Sequence, residues 1–132
     1  VVRGAGTMAH SLGAKLVVVA SHSGRTALAL SQQRSFVPTI GVSSSEATLC
    51  KMCLYWGVTP LRGAPATNVE QLIRHADRWA CDAGLARPGD RVVIVGGSHL
   101  AAGPDAAEEM AAGVHDIVIV HKVEGARVTC VR

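Results

Sequence analysis

Residues 15–26 read KLVVVASHSGRT, an apolar run followed at once by small, hydroxyl-bearing and basic residues. The apolar half, residues 15–20, has the length of a β-strand and does not alternate between polar and apolar side chains. Such a run is typical of a strand that is covered on both faces. The polar half lies where the carboxyl end of that strand turns into a helix, which we expect to begin near Ala27. In α/β folds, ligands bind at this end of the strands.

Four further strand-like runs follow the first, separated by helical patterns. They lie at residues 38–42, 57–61, 91–95 and 116–123. Strands that alternate with helices form a mostly parallel sheet with helices on both faces, joined by right-handed crossovers. We therefore expect a three-layer αβα sandwich, with residues 1–132 as a single domain around its own hydrophobic core.

Two of the intervening helices have recognisable starts. Capping boxes predict that one begins at Ser43-Ser44-Ser45-Glu46 and another at Thr67-Asn68-Val69-Glu70. The first helix is expected to carry on one face Leu49, Cys50, Cys53 and Leu54. The second is expected to end at a left-handed Gly84 and to carry the apolar stripe Val69, Leu72, Ile73, Ala76, Ala80 and Ala83. A short helix is also expected near residues 104–110.

Composition and charge exclude several classes of protein. Of 132 residues, 48% are hydrophobic, and 13 Lys and Arg stand against 10 Asp and Glu. The basic residues are scattered and aromatic residues are few, which does not favour nucleic-acid binding. The apolar runs are too short to span a membrane, and no secretion leader is visible. We expect a cytoplasmic protein, and because the first residue is not Met, we interpret the chain as a piece of a longer one.

The cysteines, histidines and glycine motifs suggest no catalytic centre. Cys50 and Cys53 form a C-x-x-C that is predicted to lie inside a helix, whereas redox pairs use a helix N-terminus. We therefore expect buried, reduced thiols, and neither the cysteines nor the histidines have the spacing of a metal site. The motif G-x-G-x-x-A at residues 4–9 has no strand before it, so it does not indicate a Rossmann fold. ATPase, α/β-hydrolase and zincin signatures are absent, and no nucleophile is paired with a base, which disfavours a hydrolase.

The turn after the first strand is the candidate binding site. The N–H groups at a helix start are unpaired and attract anions, and Gly24 allows a close approach to the backbone. Hydroxyl groups of Ser21, Ser23 and Thr26 and the guanidinium of Arg25 add hydrogen-bond donors for a phosphate group. The alternative is an ordinary serine-rich helix cap with a solvated arginine. If the protein's own side chains occupy these amides, only a structural role remains.

Several motifs, in this order, resemble the C-terminal domain of pyruvate kinases. They are SHSGRT at residues 21–26, SQQRS at 31–35, PTIGVS at 38–43, LYWGVTP at 54–60 and GDRVVIVGG at 89–97. The resemblance covers nearly the whole chain and implies a five-stranded sheet whose last strand is antiparallel. It also implies a parent enzyme, assembled as a homotetramer, whose separate barrel transfers phosphate from phosphoenolpyruvate to ADP with Mg²⁺ and K⁺. No barrel residue is present, so we assign no catalytic residue and expect this chain to be inactive alone.

The resemblance further implies a pocket for a sugar phosphate or another phosphorylated effector. Its phosphate-binding loop would consist of Ser21, His22, Ser23, Gly24, Arg25 and Thr26. A possible second side would consist of Gly97, Ser98, His99 and His115. Here the connection over residues 96–116 is long, His115 and Asp116 replace the usual Thr-Asn, and Ser35 replaces the usual Pro after Arg34, so the identity of the effector stays open. The alternative is a non-catalytic oligomerisation module that uses residues 116–123 as an exposed edge.

Overall fold

Helices and strands alternate along the chain in the computed structural model, which describes residues 2–65, 68–97 and 116–124. Within those ranges the elements are α1 (Val2–Ser11), β1 (Leu16–Ala20), α2 (Arg25–Gln32), β2 (Thr39–Val42), α3 (Glu46–Met52), β3 (Val58–Pro60), α4 (Val69–Asp82), β4 (Arg91–Gly97) and β5 (Asp116–Lys122). All five predicted strands are confirmed. In the described ranges, no helix is long and apolar enough to cross a membrane. The helix expected near residues 104–110 lies outside them.

The five strands form one mixed sheet with the order β3-β2-β1-β4-β5. The strands β1 to β4 pair in parallel, and β5 pairs antiparallel to β4. The antiparallel last strand implied by the family resemblance is therefore confirmed. Strand β1 lies at the centre, and all five of its residues are at most 3% exposed. Its unbroken apolar run follows from this position, because neither face of the strand meets water.

The core consists of two layers, one on each face of the sheet. On one face, Leu16 and Val18 pack in the cluster that contains the buried side of α4, which is formed by Leu72, Ala76 and Ala80. On the other face, Val17 and Val19 pack in a cluster with residues of α1, α2 and α3, namely Ala5, Ala9, Ala27, Leu30, Leu49 and Met52. Helices therefore cover both faces of the sheet, and the predicted αβα sandwich is confirmed.

Helix α1 was not foreseen from the sequence, because Gly4 and Gly6 lower its helix propensity. Residues 4–9, which match G-x-G-x-x-A, lie inside this helix and not in a loop after a strand. Helix α1 forms because Ala5 and Ala9 bury one of its faces, each being 1% exposed. Burial of an apolar face outweighs weak propensity.

The predicted capping box at Ser43 is wrong by two residues. Ser45 is the N-cap of α3, and its side chain accepts a hydrogen bond from the Thr48 N–H at 3.4 Å. Ser43 instead accepts one from the Ser45 N–H at 3.1 Å, which shapes the turn between β2 and α3. At α4 the N-cap is Asn68, which accepts from the Gln71 N–H at 3.0 Å, in place of the expected Thr67. Thr67 lies outside the described residues.

The buried face of α3 also differs from the predicted one. The predicted face of Leu49, Cys50, Cys53 and Leu54 is wrong except for Leu49: the buried residues are Thr48, Leu49 and Met52, and Leu54 is 88% exposed. Cys50 and Cys53 are also exposed, so the expectation of buried thiols is wrong for this pair. On α4 the stripe is confirmed at Leu72, Ala76 and Ala80, whereas Ala83 is exposed. Gly84 has the expected left-handed conformation, with φ 71°.

Candidate functional site

The predicted loop connects the carboxyl end of β1 to the first residue of α2. The Ser21 N–H donates to the Val42 carbonyl at 3.0 Å, which fixes the start of the loop to the neighbouring strand β2. Ser21 is only 7% exposed. His22, Ser23 and Arg25 are exposed, and Thr26 is half-buried. The structure therefore brings these residues together at the edge of the sheet where α/β folds bind ligands.

Two of the loop amides are bonded to the loop's own hydroxyl groups. The Gly24 N–H donates to Ser21 Oγ at 2.9 Å, and the Arg25 N–H donates to Ser23 Oγ at 3.4 Å. The first bond is short and buried, whereas the second is long and exposed. These two bonds agree with the alternative interpretation, in which the loop is an ordinary serine-rich helix cap. Ser21 is a structural residue here, because its hydroxyl points to the backbone of its own turn.

The remaining hydrogen-bond donors of the loop have no partner within the described residues. Gly24 is the N-cap of α2 in a left-handed conformation, with φ 85° and ψ 0°, and no side chain caps the helix. In the described part of the chain, the N–H groups of Ser23 and Thr26 have no hydrogen bond, and neither do the side chains of Arg25 and Thr26. A helix N-terminus carries about half a positive charge, so these donors face an electrostatic environment that favours an anion.

Ser43 and Thr48, which the sequence analysis did not assign to the site, hold the loop in place through hydrogen bonds. The His22 carbonyl accepts hydrogen bonds from Thr48 Oγ1 at 2.7 Å and from Ser43 Oγ at 3.5 Å. A methyl group on Gly24 would lie 3.2 Å from Thr48 Cγ2 and 3.4 Å from Tyr55 Oη. The sequence offered one signal for these contacts, since Ser43 and Thr48 follow β2 and the carboxyl ends of adjacent parallel strands meet at one edge.

The second side of the predicted site is only partly within the described ranges. Gly97 is the last residue of β4, and its neighbour Gly96 pairs with Ala20 of β1, next to Ser21. The backbone at Gly97 thus reaches the same edge of the sheet as the loop. Ser98, His99 and His115 lie outside the described residues.

Two other features of the described residues bear on binding chemistry. Within residues 2–65, 68–97 and 116–124, no group of three His, Cys, Asp or Glu side chains is arranged to hold a metal ion. A groove with a volume of about 540 Å³ lies at the amino end of the sheet, with Thr7, His10, Lys15, Gln33 and Phe36 among its lining residues. Among the predicted site residues that the structure describes, none lines this groove.

Comparisons with known proteins agree with the fold and the motifs. The family model "Pyruvate kinase, alpha/beta domain" matches residues 1–123. The chain is 33% identical over 93 residues to a pyruvate kinase from Agrobacterium vitis, covering 70% of this chain and 19% of that protein. It is 33% identical over 91 residues to a pyruvate kinase from Clostridium acetobutylicum, covering 69% of this chain and 19% of that protein.

A solved structure shows the same fold. The Cryptosporidium parvum pyruvate kinase in complex with ADP superimposes with a TM-score of 0.77 at 20% identity, covering 92% of this chain and 23% of that chain. The chain thus spans about a fifth of the length of these relatives. Because the family model covers most of the sequence, the chain belongs to the family of pyruvate kinase alpha/beta domains.

Proposed function

We propose that this chain is the regulatory and assembly domain of a pyruvate kinase, and that its loop of residues 21–26 binds the phosphate group of a sugar phosphate or another phosphorylated effector. In this proposal the parent enzyme transfers phosphate from phosphoenolpyruvate to ADP. The Mg²⁺ and K⁺ for that reaction belong to its barrel. In this proposal no residue of this chain takes part in catalysis or binds a metal.

One observation carries the proposal: the first turn of α2 has an uncapped N-terminus beside an exposed arginine. The N–H and hydroxyl groups of Thr26, the N–H of Ser23 and the guanidinium of Arg25 surround the same short loop. Hydrogen bonds from such donors to a charged phosphate group contribute about 1.5–3 kcal/mol each. The left-handed Gly24 allows the chain to expose these donors in succession.

The internal hydrogen bonds of the loop restrict how a phosphate group binds. The Gly24 N–H stays with the buried hydroxyl of Ser21 at 2.9 Å, so it contributes nothing to the ligand. The Arg25 N–H is held by Ser23 Oγ at 3.4 Å, close to the limit of a hydrogen bond. Rotation of the exposed Ser23 hydroxyl releases that amide at small cost. The proposed seat therefore consists of the backbone from Ser23 to Thr26 without Gly24, together with two side chains.

A titration followed by backbone NMR tests the proposal, with inorganic phosphate and a hexose bisphosphate as probes. We expect the amide signals of Ser23, Arg25 and Thr26 to move, and Arg25→Ala to weaken binding about 10- to 150-fold, which corresponds to 1.5–3 kcal/mol. Arg78→Ala on the exposed face of α4 is the matched control and should leave binding unchanged. If neither probe moves these signals at millimolar concentration, the loop is a structural cap and the effector proposal is wrong.

A second role, assembly, is favoured by the position of β5. Among the described strands β5 lies at the edge of the sheet, and Val120 on it is 45% exposed. An open strand edge pairs readily with a second copy across a two-fold axis, where each copy contributes the same residues. Sedimentation velocity should show a self-associating species that Val120→Lys abolishes while the circular dichroism spectrum stays folded. A wild-type chain that sediments as a monomer at all concentrations would contradict this role.

A further inference from the structure

Two exposed cysteines lie side by side at the end of α3. Cys50 is within the helix, Cys53 is its C-cap, and neither forms a disulfide. Residues three apart in a helix share one side of it. The sequence motif C-x-x-C thus corresponds to two thiols that face solvent together.

The Cys53 side chain leans back over the turn that contains Cys50. The Cys53 N–H donates to the Cys50 carbonyl at 3.3 Å, so a single turn closes directly between the two residues. The Cys53 thiol donates to the Leu49 carbonyl at 3.6 Å, which means that its sulfur leans back over the preceding turn, where Cys50 lies. Helix geometry places such Cα atoms about 5 Å apart, within the range of about 4.4–6.8 Å found in disulfides.

Closure of a disulfide requires a small movement of this turn. The Cβ atoms of such a pair are about 5–6 Å apart in a helix, and a disulfide needs about 3.8 Å. Two backbone hydrogen bonds follow this turn. The Leu54 N–H donates to the Lys51 carbonyl at 3.0 Å, and the Tyr55 N–H donates to the Met52 carbonyl at 3.1 Å. A shift of Cys53 therefore reaches Tyr55 and Trp56 through the backbone.

We propose that Cys50 and Cys53 form a redox-sensitive dithiol that a low-molecular-weight disulfide, such as oxidised glutathione, converts into an intrachain disulfide. One cysteine thiolate attacks a sulfur of oxidised glutathione, and one glutathione leaves as a thiolate, which gives a mixed disulfide. The second cysteine then attacks the protein sulfur of that mixed disulfide, and the second glutathione leaves. The protein dithiol loses two electrons and two protons, and oxidised glutathione becomes two molecules of glutathione.

The site senses redox conditions and does not catalyse thiol exchange. Catalytic C-x-x-C pairs lie at a helix N-terminus, whereas this pair lies at the C-terminal end of α3. The consequence of oxidation lies in the α3–β3 connection, because the Tyr55 hydroxyl lies next to the loop of residues 21–26: a methyl group added at Gly24 would stand 3.4 Å from it. An effect on phosphate binding would rest on the function proposed above, but formation of the disulfide does not.

Peptide mapping tests the disulfide. The chain is treated with oxidised glutathione, denatured without reduction and digested with trypsin, whose sites Arg34, Lys51 and Arg62 divide this region into residues 35–51 and 52–62. We expect the peptides 35–51 and 52–62 to stay joined by the disulfide, with a combined mass that is lower by two hydrogen atoms, until a reductant separates them. The Cys50→Ser variant should instead give a separate 52–62 peptide that carries one glutathione. If the wild-type chain also gives separate peptides, each unmodified or each carrying its own glutathione, the proposal is wrong.

Fluorescence tests whether the oxidised turn moves. The Trp79→Phe background leaves Trp56 as the reporter, three residues after Cys53. We expect oxidation to change its emission and the reductant to restore it, and the Cys50→Ser/Cys53→Ser double variant to show no change. A response that persists in the double variant, or a disulfide that forms without any response, would overturn the proposed movement.

Discussion

Replacement of Gly41 by alanine tests the packing beneath the candidate site. Gly41 lies in β2, and an added methyl group would stand 2.4 Å from Met52 Sδ and 3.1 Å from Val58 Cγ1. Met52 is 0% exposed, so its sulfur cannot swing toward solvent and moves only against other core side chains. Overpacking of this kind costs about 1–3 kcal/mol, and we expect Gly41→Ala to lose stability within that range. Residue 41 is a glycine because α3 packs its methionine directly on the strand.

Two other glycines provide matched controls for this prediction. At Gly4 in α1 an added methyl group meets nothing within 4 Å, so Gly4→Ala should raise stability by about 0.5–1 kcal/mol. At Gly6 the clashing atom is Gln33 Oε1, at the free end of a half-buried side chain that can swing toward water. Gly6→Ala should therefore be tolerated much better than Gly41→Ala, although its static overlap is the larger of the two.

Urea denaturation of the three variants measures these free energies of unfolding directly. A double-mutant cycle with Met52→Ala adds the decisive comparison. Met52→Ala alone should cost about 2–5 kcal/mol, and the methyl group at position 41 should then occupy part of the space that Met52 leaves. The two effects should thus be strongly less than additive. If Gly41→Ala is as stable as the parent, or if the cycle is additive, the contact with Met52 does not explain this glycine.

Two further variants test contacts that position the ends of the sheet. Thr48→Val removes the 2.7 Å hydrogen bond to the His22 carbonyl and should cost about 0.5–1.5 kcal/mol, measured by urea denaturation, because this part-buried carbonyl loses the shorter of its two hydrogen bonds. No loss of stability would show that Ser43 alone satisfies this carbonyl. Asp77→Ala removes the 2.9 Å contact between α4 and His121 of β5, where both side chains are about one-sixth exposed. We expect faster hydrogen exchange of β5 amides, and unchanged exchange there would mean that strand pairing alone holds β5.

The sequence specified the sheet well because burial on both faces leaves a direct mark on composition. Strand β1 pairs with β2 and β4 and carries only apolar residues, and this pattern has few structural alternatives. Helix boundaries were harder to predict from residue types. Ser43 and Ser45 are both suitable N-caps, and the choice between them depends on the turn after β2, which the sequence does not encode locally. Helix α1 was missed because its stability comes from Ala5 and Ala9 packing in the core, and not from propensity.

The exposure of Cys50 and Cys53 depends on which face of α3 packs on the sheet. Leu49 and the two cysteines were expected to share the buried face of this helix. In the structure the buried residues are Thr48, Leu49 and Met52, with Met52 next to Gly41, and the cysteines turn toward solvent. The choice of buried face, which packing against the sheet decides, thus changes the chemical interpretation of a motif from inert buried sulfur to an accessible pair.

The division of hydrogen bonds within the loop decides which of its residues matter for function. Residue types alone could not separate a phosphate seat from a self-capped turn, since both use serines before a helix. The structure contains elements of both: Ser21 is buried and holds the Gly24 amide, while Arg25 is exposed, Thr26 is half-buried, and neither side chain has a hydrogen bond within the described residues. Loss of the Ser21 hydroxyl should therefore act first on the stability of the turn, and loss of Arg25 should act on ligand affinity alone. A phosphate group that binds here depends on the hydrogen-bond donors of Ser23, Arg25 and Thr26. The buried Ser21 fixes the position of these donors, because its hydroxyl holds the turn between them and β1.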